Sequence, residues 1–120
     1  MSSTNEEIPA VEQIATATID GPDTKGTATL FETEMNYVIQ LHDMDIHAGA
    51  PDVWAALTAN PTGELDDSIE DVAMLGYHNT NFEIAFPKSI NPHEKSTVLI
   101  YCKLVAVSFG HGPLEFAPSS

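Results

Sequence analysis

At 120 residues the chain has the length of one domain, enough to bury a hydrophobic core and too short for two. Eighteen acidic residues face four lysines (Lys25, Lys88, Lys95, Lys103) and no arginine, a formal net charge of −14; this opposes nucleic acid and anionic membrane surfaces and excludes a guanidinium clamp for phosphate. The single cysteine, Cys102, excludes an internal disulfide, a closed four-cysteine zinc site and a cluster held by this chain alone. The acidity itself reads as solubility or adaptation to high salt, or as a docking surface for a basic partner or for cations.

Residues 1–13 are polar and acidic without periodicity and read as a flexible arm. They hold neither a basic n-region nor an apolar h-region, so no signal peptide is expected in the chain as written. No run approaches the roughly 18 apolar residues of a membrane span. From residue 14 to 116 short β-type runs alternate with Gly, Pro, Asn and Asp, the punctuation of an all-β fold, an antiparallel β-sandwich of about eight short strands. In chain order the predicted strands are Ile14–Ile19, Gly26–Glu32, Tyr37–Met44, Val53–Leu57, Ala73–Leu75, Phe82–Ala85, Thr97–Lys103 and Val105–Phe109. In the third, Tyr37, Ile39, Leu41 and Asp43 share one face and Val38, Gln40, His42 and Met44 the other. A short helix over Pro51–Asn60 is the one helical alternative. The last two strands are apolar on both faces from Val98 to Phe109, which predicts a central position for that run. Residues 117–120 close the chain as a tail, and Glu115 and Phe116 read as its frayed beginning.

The C-terminal run IYCKLVAVSFGHGPL (100–114) resembles the closing motif of the DM-thirteen domain family, an electron-transfer domain also found in Skeletor-type proteins. That motif is approximately I-(W/Y)-C-K-x-F-x-V-x-F-(G/S)-x-A-x-L, matched by Ile100, Tyr101, Cys102, Lys103, Val107, Phe109, Gly110 and Leu114. Val105 stands where Phe is usual, and His111 and Gly112 replace small residues. Earlier segments agree in order: Gly26, Ala28 and Leu30; Asp43 and Met44; Pro51, Asp52 and Leu57; Leu75, Gly76, Phe82 and Ile84. The resemblance, over about residues 15–114, implies a compact β-sandwich, commonly exported or at the cell surface, often joined to haem-binding or cytochrome-type modules. It also implies a redox role for Cys102 and a redox or haem protein as partner. The residues themselves indicate no cofactor.

Read residue by residue, Cys102 is either the candidate redox centre or a small hydrophobe packed in a central strand. Without a second thiol it would need a partner thiol, a metal, a haem or a sulfenic-acid step. Lys103 follows it but points to the opposite strand face. Asp43, Asp52, Tyr101 and His111 are the candidate binding residues, with Asp43 and Asp52 also suited to orienting loops and His111 to modulating Cys102. Asp43, Asp45 and His47 form a weaker cation site that requires an extended segment. A blue-copper centre lacks its Cys…His…Met loop, and Glu64–Asp71 lacks the spacing of a calcium loop and reads as solvated. Trp54 and Tyr101 read as core. Nucleophile-elbow, phosphate-loop, dinucleotide and zinc-protease motifs are absent. The functional expectation is a non-enzymatic redox or electron-transfer accessory domain; the alternative is a binding or structural module with a buried cysteine, holding a cation or a protein through its acidic loops.

Overall fold

The computed structural model describes residues 11–46, 52–75 and 80–117. Nine strands follow one another: β1 Glu12–Ile19, β2 Thr24–Glu32, β3 Asn36–Ile46, β4 Val53–Thr58, β5 Glu70–Leu75, β6 Phe82–Pro87, β7 Thr97–Cys102, β8 Val107–Pro113 and β9 Glu115–Phe116. They form two antiparallel sheets, β6-β3-β2-β1-β9 and β5-β4-β7-β8, the all-β sandwich expected from the sequence. None of the described residues forms a helix long and apolar enough to cross a membrane.

Period-two alternation builds the space between the sheets. Ala15, Ala17 and Ile19 of β1, Ala28 and Leu30 of β2, and Tyr37, Ile39 and Leu41 of β3 face Val53, Ala55 and Leu57 of β4 and Val98, Ile100 and Cys102 of β7. At roughly 1.5–3 kcal/mol for each fully buried large side chain, this interior is the main stabilising term. β4 runs beside β7 in register, Val53 opposite Cys102 and Trp54 opposite Tyr101. The segment offered as a short helix is therefore a strand from Val53, because its alternating Val53, Ala55 and Leu57 complete the inner face; Pro51 lies outside the described residues.

Alternation fails at one informative place. β3 bulges at Asp43, whose φ is 54°, while the β2 register shifts between Lys25 and Thr27. The bulge turns Asp43 and Asp45 outward and brings Met44 and Ile46 into the core. Met44 thus leaves the face expected from strict parity. A second difference lies at the C-terminal run. Lys103–Ala106 form a four-residue turn between β7 and β8, with Ala106 at φ 56°, instead of continuing a central strand. Leu104 and Val105, read as interior, stand 68% and 57% exposed at its tip. β7 alone keeps the central place, every residue buried. The chain then crosses between sheets: Gly112 lies so near β1 that a Cβ would sit 2.0 Å from the Thr18 carbonyl oxygen. Glu115 and Phe116, expected in the tail, pair with Thr16 and Ala15 of β1. At the other end β1 begins at Glu12, inside the stretch read as the arm.

Candidate functional site

β7 is buried on both faces because its outer face has a small core of its own. Ala56, Leu99 and Tyr101 project outward there, and Trp54, Leu65 and Ile69 pack over them. Leu65 and Ile69 come from the segment joining β4 to β5, which short hydrogen bonds pin down. Thr58 Oγ1 and Ser68 Oγ are 2.9 Å apart, Ser68 donates its N–H and hydroxyl to Asp66 Oδ1 at 2.9 and 2.6 Å, and the Asn60 carbonyl accepts the Gly63 N–H at 3.1 Å. The Ser68 hydroxyl, and then its N–H, hold the Asp66 carboxyl below the usual carboxylate range. The acidic run Glu64–Asp71 is therefore not simply a solvated loop: it carries two apolar lid residues, and its last members, Glu70 and Asp71, open β5.

Strand alternation places the consecutive residues Tyr101, Cys102 and Lys103 on alternating sides of the sheet. Cys102 points inward, is 0% exposed and belongs to the inter-sheet core, with Val53 and Val107 as its backbone partners. Tyr101 points outward, is only 6% exposed, and donates its hydroxyl to Asp71 Oδ1 in a short hydrogen bond. Burial, and secondarily the Asp71 carboxylate at its hydroxyl, push the phenol of Tyr101 well above its ordinary value. Lys103 Nζ donates to the second oxygen of Asp71 at 2.7 Å and lies 4.6 Å from the centre of the Trp54 ring. Trp54 donates its indole N–H to Asp52 Oδ1 at 2.8 Å, and the Asp52 carbonyl accepts the Lys103 N–H at 2.9 Å. The result is a connected series on the outer face: phenol, carboxylate, ammonium, indole, carboxylate.

The structure thus joins two sequence candidates, Asp52 and Tyr101, and sets Cys102 against the other side of the same strand end. It does not join the rest. His111 pairs with Leu99 in β8, and its ring lies against Gly63, whose added Cβ would meet it at 2.5 Å. That is the outer face, three residues up β7 from Cys102, so the imidazole and the thiol are separated by the sheet. Asp43 stands in the other sheet, its N–H bonded to Asn81 Oδ1 at 3.2 Å. Asp45 is exposed beside it, and His47 lies outside the described residues. No three His, Cys, Asp or Glu side chains among the described residues gather closely enough to hold a metal ion.

Asp71, Trp54 and Lys103 complete the series without having stood out as site residues. Two aromatic residues separated by 47 positions show no linkage in sequence; only the pairing of β4 with β7 makes them neighbours. The usable signal was the parity of Tyr101 and Lys103, which puts both on the face away from the thiol.

No curated protein and no solved structure matches the chain. A family model described as "Electron transfer DM13" matches residues 18–114, from the end of β1 to the residue after β8, and so takes in both sheets and the Tyr101–Cys102–Lys103 step. The chain belongs to the DM13 electron-transfer family.

Proposed function

We propose that this domain is a non-enzymatic electron-transfer accessory that exchanges single electrons with a redox or haem-bearing partner at the end of β7, with Cys102 as its candidate redox centre. The observation that carries the reading is the position of the family motif: it sets a thiol and a hydrogen-bonded phenol back to back on one strand end, beside the exposed β7–β8 turn. Burial limits what the sulfur can do. A thiol with no exposed surface reaches no second thiol, metal or haem in this conformation, so disulfide exchange and ligation require the packing around it to open. Passage of an electron through the packed protein does not require that contact.

The test is equilibration of the protein with one-electron mediators of graded potential, on the wild type and on Cys102→Ala, together with thiol titration of native and unfolded chains. A reversible one-electron response that disappears in Cys102→Ala supports Cys102 as the centre. An unchanged response in that variant removes Cys102 and keeps the electron-transfer reading; no response to any mediator overturns the reading. The complete burial of Cys102, with Leu104, Val105 and Val107 exposed at the neighbouring turn, favours a second reading: a module that binds a protein partner through that tip and whose cysteine is only packed. Capture of a partner lost on Leu104→Asp, in a domain without mediator response, identifies that case.

A further inference from the structure

We propose that Tyr101 is a one-electron relay of this domain, with Asp71 as its proton acceptor and Trp54 as the aromatic contact through which a surface partner reaches it. The proposal rests on the electron-transfer reading and names side chains for it. A phenol is difficult to oxidise while it keeps its proton, because the radical cation is a very strong acid. The problem vanishes when a base already holds the hydrogen bond. Tyr101 has such a base: its hydroxyl donates to Asp71 Oδ1. Tyr101 as a whole is only 6% exposed, while Asp71, a quarter exposed, opens the acceptor side to solvent.

Trp54 supplies the outward contact. It is half-buried and stands directly across from Tyr101 in the β4–β7 pairing, which sets the two Cβ atoms about 5 Å apart. The Lys103 ammonium, 4.6 Å from the indole centre, disfavours positive charge on Trp54. The Asp52 carboxylate at the indole N–H favours that charge, so the two fields largely offset, and what draws the hole inward is a phenol that can shed its proton to Asp71. Asp52, bonded to the indole N–H at 2.8 Å, fixes the ring in place.

The step balances. Trp54 gives one electron from its indole to a partner oxidant of the high-valent metal class, since an ordinary ferric haem is too weak to oxidise an indole, and that oxidant is reduced by one unit. The Trp54 radical cation takes one electron from Tyr101, the Tyr101 O–H bond breaks, and the proton passes to Asp71 Oδ1. The products are neutral Trp54, a neutral Tyr101 phenoxyl radical and a protonated Asp71. Return of one electron from a reduced metal centre on the partner restores the phenol as the proton moves back from Asp71 Oδ1 to the Tyr101 oxygen.

Pulse radiolysis of the full chain with azide radical tests this, since azide radical oxidises indole and Trp54 is the only tryptophan. The expected result is first-order decay of the indolyl absorption with matching growth of phenoxyl absorption, independent of protein concentration. Tyr101→Phe abolishes that phase although Tyr37 and Tyr77 remain. Asp71→Ala slows it and Asp71→Glu restores it. Circular dichroism of each variant establishes that it is folded, and a misfolded Asp71→Ala is replaced by Asp71→Asn. Conversion that persists in Tyr101→Phe, or an indolyl radical in the wild type that decays only by second-order collision, overturns the proposal. Mediator response retained with this phase absent refutes the relay alone; absence of mediator response refutes the electron-transfer reading itself.

Discussion

The Tyr101–Asp71 pair predicts a specific non-additivity in stability. Asp71→Ala leaves a phenol hydroxyl inside a residue that is 6% exposed, with no acceptor from Asp71. An orphaned buried donor costs about 1–3 kcal/mol. Lys103 also loses its partner, but that pair is half exposed at the lysine and a quarter at the aspartate, so it contributes only about 0–1 kcal/mol. The expected loss is about 1–4 kcal/mol. Tyr101→Phe keeps the ring, and Asp71 keeps Lys103, so its cost is about 1 kcal/mol. The double variant leaves no buried hydroxyl without an acceptor, only the exposed Lys103 without its pair: its loss falls below the sum of the two single losses by about 1–2 kcal/mol. Urea denaturation of the four proteins measures this, with a common m-value as the control that the unfolded states match. For a domain of this size each kcal/mol corresponds to roughly 4–8 °C in Tm, so heating gives an independent reading. Additivity within about 0.5 kcal/mol refutes the hydrogen bond as a stabilising contact and removes the geometric basis of the proton step.

At alkaline pH the same pair has a sign that can be worked out. Folding raises the Tyr101 pKa above 10.0, so between that value and its folded value the unfolded chain binds fewer protons and stability falls as pH rises. Tyr101→Phe flattens this loss above pH 10.0, and in the wild type the phenolate absorption of one tyrosine is expected to appear only with unfolding. Cys102→Ser places a hydroxyl in an apolar interior at a cost of about 1–3 kcal/mol, more than Cys102→Ala costs, and urea midpoints rank the two. The reverse order would show that the sulfur has a polar partner. Ala106 sits at φ 56°, where a Cβ costs roughly 1–2 kcal/mol, so Ala106→Gly is expected to raise the unfolding free energy slightly, by about 1 kcal/mol after the entropy that glycine brings to the unfolded chain, read as a higher urea midpoint. Gly112→Ala has the opposite effect: its Cβ meets the Thr18 carbonyl at 2.0 Å, and backbone that must move costs upward of about 1–3 kcal/mol. An unchanged thermal midpoint for Gly112→Ala would refute close backbone contact at the β1–β8 crossing.

What sequence made legible and what it hid divide along one physical line, the reach of strand alternation. Ala15, Ala17 and Ile19 announce an inner face because each is separated from the next by one outward residue, and no partner is needed to see it. The same rule puts Tyr101 and Cys102 on opposite sides before any fold is known. It breaks where backbone leaves the extended region. Asp43 at φ 54° inverts the parity of Met44, and Ala106 at φ 56° marks a turn in a stretch of apolar residues that alternation alone reads as continuous. Aspartate tolerates that region through its own side chain; alanine does not advertise it, and Leu104 and Val105 look like core because hydrophobicity carries no statement of exposure. Register is hidden more deeply still. Asp71 meets Tyr101 only because β5 and β7 flank the same strand, with the β4–β5 register shifted between Ala55 and Ala56. A one-residue slip would turn the carboxylate to the other face and leave the phenol without its acceptor. The thiol is prominent because a single cysteine is countable; Tyr101 is legible as a candidate binding residue or as core, and nothing in the sequence shows the carboxylate that meets its hydroxyl. Yet it is Tyr101 that the fold supplies with a base, a cation and an aromatic neighbour, while Cys102 receives only hydrocarbon. Redox chemistry coupled to a proton needs somewhere for the proton to go, and on this strand end the outward face provides that place.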